Sequence, residues 1–292
     1  MLQNDTAALA TASPVADFLR DASIETTPGA AAKVADFRHL LPVGTRVAVT
    51  FLPGSDWRAT VETAARLSRE GMEPVPHVAA RSLPDARTLK NYLAGLVGEA
   101  GVSRAVVLAG AVARPCGPFA SSMELLDSGA FLRHGIRTLG IAGHPEGSPD
   151  IPDQALWEAL RWKQDYAART GSEVFICTQF AFEAEPIIAW DHALSDHGID
   201  LPVRVGVPGP ATLKTLLNHA RACGIGPSMR FLTRQARDVR KLMTVNAPDR
   251  LIQELAAHVD RDPSSRIAGV HLYSLGGVAR AVEWLDAARS AG

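Results

Sequence analysis

The chain is short of cysteine, of aromatic side chains and of any excess of one charge. Its three cysteines, Cys116, Cys177 and Cys223, stand far apart in the 292 residues. That number and spacing exclude a disulfide framework and a C-x-x-C redox pair, and they fit the reduced thiols of a cytoplasmic protein. Aromatic residues make up 6% of the chain, which argues against a base-stacking platform. Lys+Arg (30) and Asp+Glu (31) nearly cancel, and no block of like charge stands out. Nucleic acid and anionic membrane surfaces are therefore not expected as partners. No apolar run approaches the roughly 20 residues that span a bilayer. Residues 1–14 have no basic start and no long apolar stretch, so they are expected to be a loose tail rather than a signal peptide.

Several motifs are also missing. There is no G-x-G-x-x-G after the first strand pattern, and Gly224-Ile225-Gly226 follows a helical stretch instead. The P-loop and the G-x-S-x-G elbow are absent. Metal ligation is not expected, since His77, His144 and His271 lie on separate strands and no H-E-x-x-H occurs.

What is present is an even alternation of two patterns. Short runs rich in Val, Ile and Leu predict strands at Ala22–Glu25, Arg46–Phe51, Glu73–Ala79, Arg104–Ala109, Arg137–Ala142, Glu173–Gln179, Val203–Val207 and Ile267–Tyr273. Near-continuous apolar runs of this kind mark strands covered on both faces. Helical spacing predicts helices at Trp57–Arg69, Asp85–Glu99, Ser121–His134, Asp153–Arg169, Glu185–His197, Ala211–Cys223 and Gly277–Ala288, most with a glycine just past the end. Extra helices are expected at Arg234–Thr244 and Pro248–Val259. Eight strands alternating with helices predict an α/β fold, a single (β/α)8 barrel over residues 15–292.

Barrel sites are built at the C-terminal ends of strands. Glu25 ends the first strand and is the only carboxylate at such a position. A catalytic acid or base and a capping or ion-paired carboxylate are equally open readings. Thr50 after strand two and His77 in strand three offer polar groups, each also compatible with a packed or hydrogen-bonded core role. Gly110 after strand four permits a close backbone approach and nothing more. His144 and Glu146 after strand five are ligand contacts or loop supports. Gln179 ends a strongly apolar strand, where an amide is costly unless paired. Its adjacent donor and acceptor suit a flat heterocycle. His271 alternates with Tyr273, so the two share a face.

The ordered set Ser23-Ile24-Glu25-Thr26-Thr27-Pro28, Val49-Thr50, Pro76-His77, Gly143-His144-Pro145-Glu146, Thr178-Gln179-Phe180 and His271-Leu272-Tyr273-Ser274-Leu275 resembles methylenetetrahydrofolate reductase. The resemblance covers nearly the whole chain after about Pro14. It implies a folate-dependent oxidoreductase of one-carbon metabolism, interconverting 5,10-methylenetetrahydrofolate and 5-methyltetrahydrofolate with NADH or NADPH. It implies Glu25 as general acid and Gln179 as the pterin ligand. Thr50, Phe180, Tyr273, Leu275 and Leu213 are the matching substrate-side positions. His77, Gly110, His144 and Lys163 are the matching cofactor-side positions, and FAD is the cofactor the family implies.

The departures fall on the flavin side. Ala109-Gly110-Ala111 stands where the family carries an Arg-Gly-Asp type sequence, Gly140 where it carries Tyr, and Leu213 where it carries Phe. The basic cluster of the fifth helix is thinned to Leu160-Arg161-Trp162-Lys163-Gln164-Asp165-Tyr166-Ala167. A reductase with weakened or absent FAD binding is therefore expected. It would pass hydride directly between NADH and the folate, or run in the oxidative direction, with Glu25 holding a raised pKa. A folate-binding barrel without redox activity and a folate-dependent methyltransferase are the alternatives. Oligomeric state is left open.

Overall fold

A computed structural model describes residues 13–223 and 243–291. Eight parallel strands close into a barrel: β1 (Ser23–Thr26), β2 (Arg46–Val49), β3 (Glu73–Ala79), β4 (Arg104–Leu108), β5 (Thr138–Gly143), β6 (Glu173–Phe180), β7 (Val203–Pro208) and β8 (Ile267–Tyr273). Each pairs with its sequence neighbour, and β1 closes on β8 with Ser23 opposite His271. The (β/α)8 barrel expected from the alternation is the architecture observed.

Strand alternation divides the side chains. Ile24, Val47, Val49, Val78, Val107, Ile176 and Val205 point outward into the core shared with the helices. Ser23, Ala48, Val75, Val106, Cys177 and His271 line the interior. Helix starts follow local capping chemistry. Asp56 accepts from the Arg58 backbone N–H ahead of Trp57–Arg69, and Asp85 accepts from that of Thr88 ahead of Ala86–Ala100.

The helix expected over Ser121–His134 is two pieces, Ser122–Asp127 and Ala130–Arg133. Gly129 separates them in the left-handed region (φ +68), which an unbroken helix does not admit. Ala211–Thr212, expected as helix, instead pairs antiparallel with Val245–Asn246, and the helix runs from Leu213 to Cys223. A helix occupies Asp249–Arg261, close to the expected Pro248–Val259. Most of the helix expected at Arg234–Thr244, and Gly224-Ile225-Gly226, lie outside the described residues. Ser13 caps a helix at Pro14–Leu19, so the last two residues of the segment expected as tail belong to this helix start, and residues 1–12 lie outside the described residues.

Candidate active site

The C-terminal ends of the strands bring Glu25 beside two imidazoles. Glu25 Oε2 lies 3.7 Å from His77 Nε2 of β3 and 3.5 Å from His271 Nε2 of β8. The carboxylate side chain is 15% exposed, and both histidines are buried. His271 Nδ1 lies 2.8 Å from Ser23 Oγ. A chain of groups, Ser23, His271 and Glu25, thus runs up the β1–β8 seam. The Ser274 hydroxyl donates to the Glu25 backbone carbonyl and ties the loop after β8 to the end of β1.

The electrostatics overturn one expectation. Burial alone does push the Glu25 carboxyl up, but His271 and His77, with help from Thr50, more than offset it. The net effect holds Glu25 below the usual carboxylate range, not above it. His77 is itself pushed down, chiefly by burial, although Glu25 pulls it back up. The carboxylate and the two imidazoles are near enough to interact electrostatically, although His271 Nε2 makes no hydrogen bond. Thr50 Oγ1 is buried beside this group without full hydrogen-bond geometry to any partner.

On the β6 side, the Gln179 side-chain amide is half-buried and has no partner among the described residues. Phe180 is buried and meets Tyr273 edge to face, with ring centres 5.3 Å apart. Tyr273 donates its hydroxyl to the Thr178 carbonyl at 3.0 Å and sets its ring 4.9 Å from that of His271. Gly206 on β7 makes this approach possible. A Cβ there would lie 2.4 Å from the Thr178 carbonyl oxygen and 2.7 Å from the Tyr273 ring. Its backbone N–H donates to Thr178 Oγ1 at 2.8 Å.

Leu213 and Leu275 are placed differently. Leu213 is fully buried in a small apolar cluster with Leu216, Leu217 and Ala220, against which Leu275 and Phe182 pack. Gly110 follows β4 at φ +92, with Ala79 3.2 Å from where a Cβ would stand. His144 follows β5 and lies within electrostatic reach of Lys163, on the helix Asp153–Thr170. Burial and the neighbouring ammonium push His144 down to about 4. Lys163 is buried with no ion pair or hydrogen bond among the described residues, and burial pushes it down to about 8. At neutral pH the pair therefore carries one charge, on Lys163.

A cavity of about 280 Å³ opens below the cluster, at the N-terminal ends of the strands. Arg46, Arg104, Glu173 and Arg204 ring it, and Ser23, Cys177 and His271 form its upper wall. Burial pushes the Cys177 thiol up to about 12, so it is not a nucleophile at neutral pH. Glu25 and Gln179 stand above the cavity, at the C-terminal mouth. The cavity bears on it through Ser23 and His271.

Neither the pairing of His271 with Glu25 nor the contact of Ser23 with His271 is legible from the strand ends alone. Their signal is the alternation Ser23, Glu25 on β1 and His271, Tyr273 on β8. His219, on the helix Leu213–Cys223, also went unnoticed; burial lowers it and Glu25 raises it. No protein-family model matches the chain.

Proposed function

We propose that the chain interconverts 5,10-methylenetetrahydrofolate and 5-methyltetrahydrofolate, with hydride exchanged directly with NADH or NADPH. The observation that carries this reading is Glu25: a carboxylate at the barrel mouth, in contact with two buried imidazoles and accompanied by the amide of Gln179, which has no partner among the described residues.

In the reductive direction, a proton on Glu25 passes to the bridge nitrogen that leaves as the methylene bridge opens. The resulting iminium carbon accepts hydride from the dihydronicotinamide, giving the methyl group and the oxidised nucleotide. Glu25 is held ionised in the free protein, so it must acquire its proton before this step. His77 and His271 are the groups placed to pass it. Bound folate and nucleotide would exclude water from the mouth and so raise the carboxyl from its lowered resting position. Gln179 offers the pterin a donor and an acceptor side by side. Lys163 offers the nucleotide phosphates a single cation, with the neutral imidazole of His144 beside it.

FAD fits the residues present poorly. Its diphosphate would meet one cation, Lys163, on the helix Asp153–Thr170. Arg161 on that helix turns to His197 at 3.5 Å, and Arg169 lies over Trp162. The end of β4 supplies no side chain beyond Ala109-Gly110-Ala111.

The reading is tested by NADH and NADPH oxidation with methylenetetrahydrofolate. Turnover is expected without a visible flavin band in the purified protein. Glu25→Gln is expected to lower kcat about a hundredfold or more while leaving folate binding largely intact. Gln179→Ala should act mainly on KM. Folate binding with no turnover in either direction would instead favour the non-redox barrel, a reading consistent with the ionised state of Glu25.

A further inference from the structure

We propose that His192, His258 and Asp262 bind one divalent transition metal of zinc type on the outer wall of the barrel. The site is independent of the folate reading. It lies toward the N-terminal end of β8, away from Glu25.

His258 lies in the last turn of the helix Asp249–Arg261, and Asp262 is the extended residue just past its end. The Asp262 backbone N–H donates to the His258 carbonyl at 2.9 Å and fixes their relation. His192 faces them from the helix Ala184–Asp196. One ligand atom from each residue lies within 4.8 Å of the other two. His192 Nε2 is 3.3 Å from Asp262 Oδ2, and the imidazole centres are 5.3 Å apart.

Outer contacts pre-orient two of the three ligands. Buried Asp191 accepts from His258 Nε2 at 2.9 Å, which fixes the tautomer and leaves the Nδ1 lone pair free. Asp191 is held in turn by the Ser265 hydroxyl at 2.7 Å and the Arg266 N–H at 2.9 Å. Asp262 Oδ1 accepts from the Ser264 N–H and hydroxyl, which leaves Oδ2 directed at His192. His192 has a side chain 59% exposed and is free to close the last gap.

Two imidazole nitrogens and one carboxylate oxygen, with water as the fourth ligand, match zinc. Magnesium and calcium favour all-oxygen sets. Bound metal would clasp the helix Ala184–Asp196 to the segment that leads into β8.

The full chain, stripped by a chelator and then titrated with zinc in a calorimeter, tests this. Wild-type protein is expected to take up one equivalent that His192→Ala and Asp262→Asn each bind at least tenfold more weakly. Zinc should raise the unfolding midpoint of the wild type and not of either variant. Because His192 is exposed, its variant should keep the metal-free midpoint, which separates lost binding from lost folding. Cys116→Ser should bind as the wild type does. The proposal is overturned if wild-type protein takes up no zinc, if either His192→Ala or Asp262→Asn binds as tightly as wild type, or if uptake is lost with Cys116 instead.

Discussion

Burial strips water from the Lys163 ammonium, and no carboxylate among the described residues replaces it. Its pKa falls from 10.5 to about 8, so it stays mostly charged at neutral pH while burial costs that charged form on the order of 3 kcal/mol relative to water. Methionine has a similar length and no charge to desolvate. Lys163→Met is therefore expected to stabilise the protein at pH 7 by about 1–3 kcal/mol, seen as a higher urea midpoint at unchanged slope. A residue that lowers stability where it stands is a candidate for function. The same variant should raise the KM for the nicotinamide nucleotide. A variant that is neither more stable nor weaker in nucleotide binding would remove Lys163 from the site.

At the scale of elements, the closure of β1 on β8 and the anchoring of β8 matter most. Asp191 ties the helix Ala184–Asp196 to the start of β8 through His258, Ser265 and the Arg266 N–H. Asp191→Ala leaves these donors buried without an acceptor and should cost about 3 kcal/mol, measured by chemical denaturation of the metal-free protein. Most strand positions were legible in the sequence within a residue or two, because Val/Ile/Leu runs between glycine-ended helices leave little choice. Glu25 and Gln179 were legible as polar ends of apolar strands. The partnership of Glu25 with His271 was not, because the closing seam joins the two extremes of the barrel and local pattern carries no register across it. The break at Gly129 was hidden by apolar spacing that continues through it. The metal-type cluster was hidden for a related reason: His258 and Asp262 have helical spacing, but His192 meets them only after the helices pack.

Across the whole molecule, the perturbed groups of the mouth titrate with one sign. His144 is pushed to about 4 from 6.5, and His77 is also depressed. A histidine with a depressed folded pKa binds protons more readily when unfolded, so its stabilisation is full above the unfolded value and fades as pH falls toward the folded one. Glu25, also depressed, loses its contribution as pH falls below the ordinary carboxylate range. Stability should therefore decline from about pH 6.5 toward pH 4, with His144 alone supplying on the order of 3 kcal/mol of the loss. Urea midpoints measured across that range check the slope, and His144→Gln should flatten it. Because Lys163 contributes to the depression of His144, Lys163→Met should leave the start of the decline near pH 6.5, end it at a higher pH and make the total loss smaller. A His144→Gln protein with the wild-type slope would show that the acid sensitivity arises elsewhere, with His77 and Glu25 the next groups to replace.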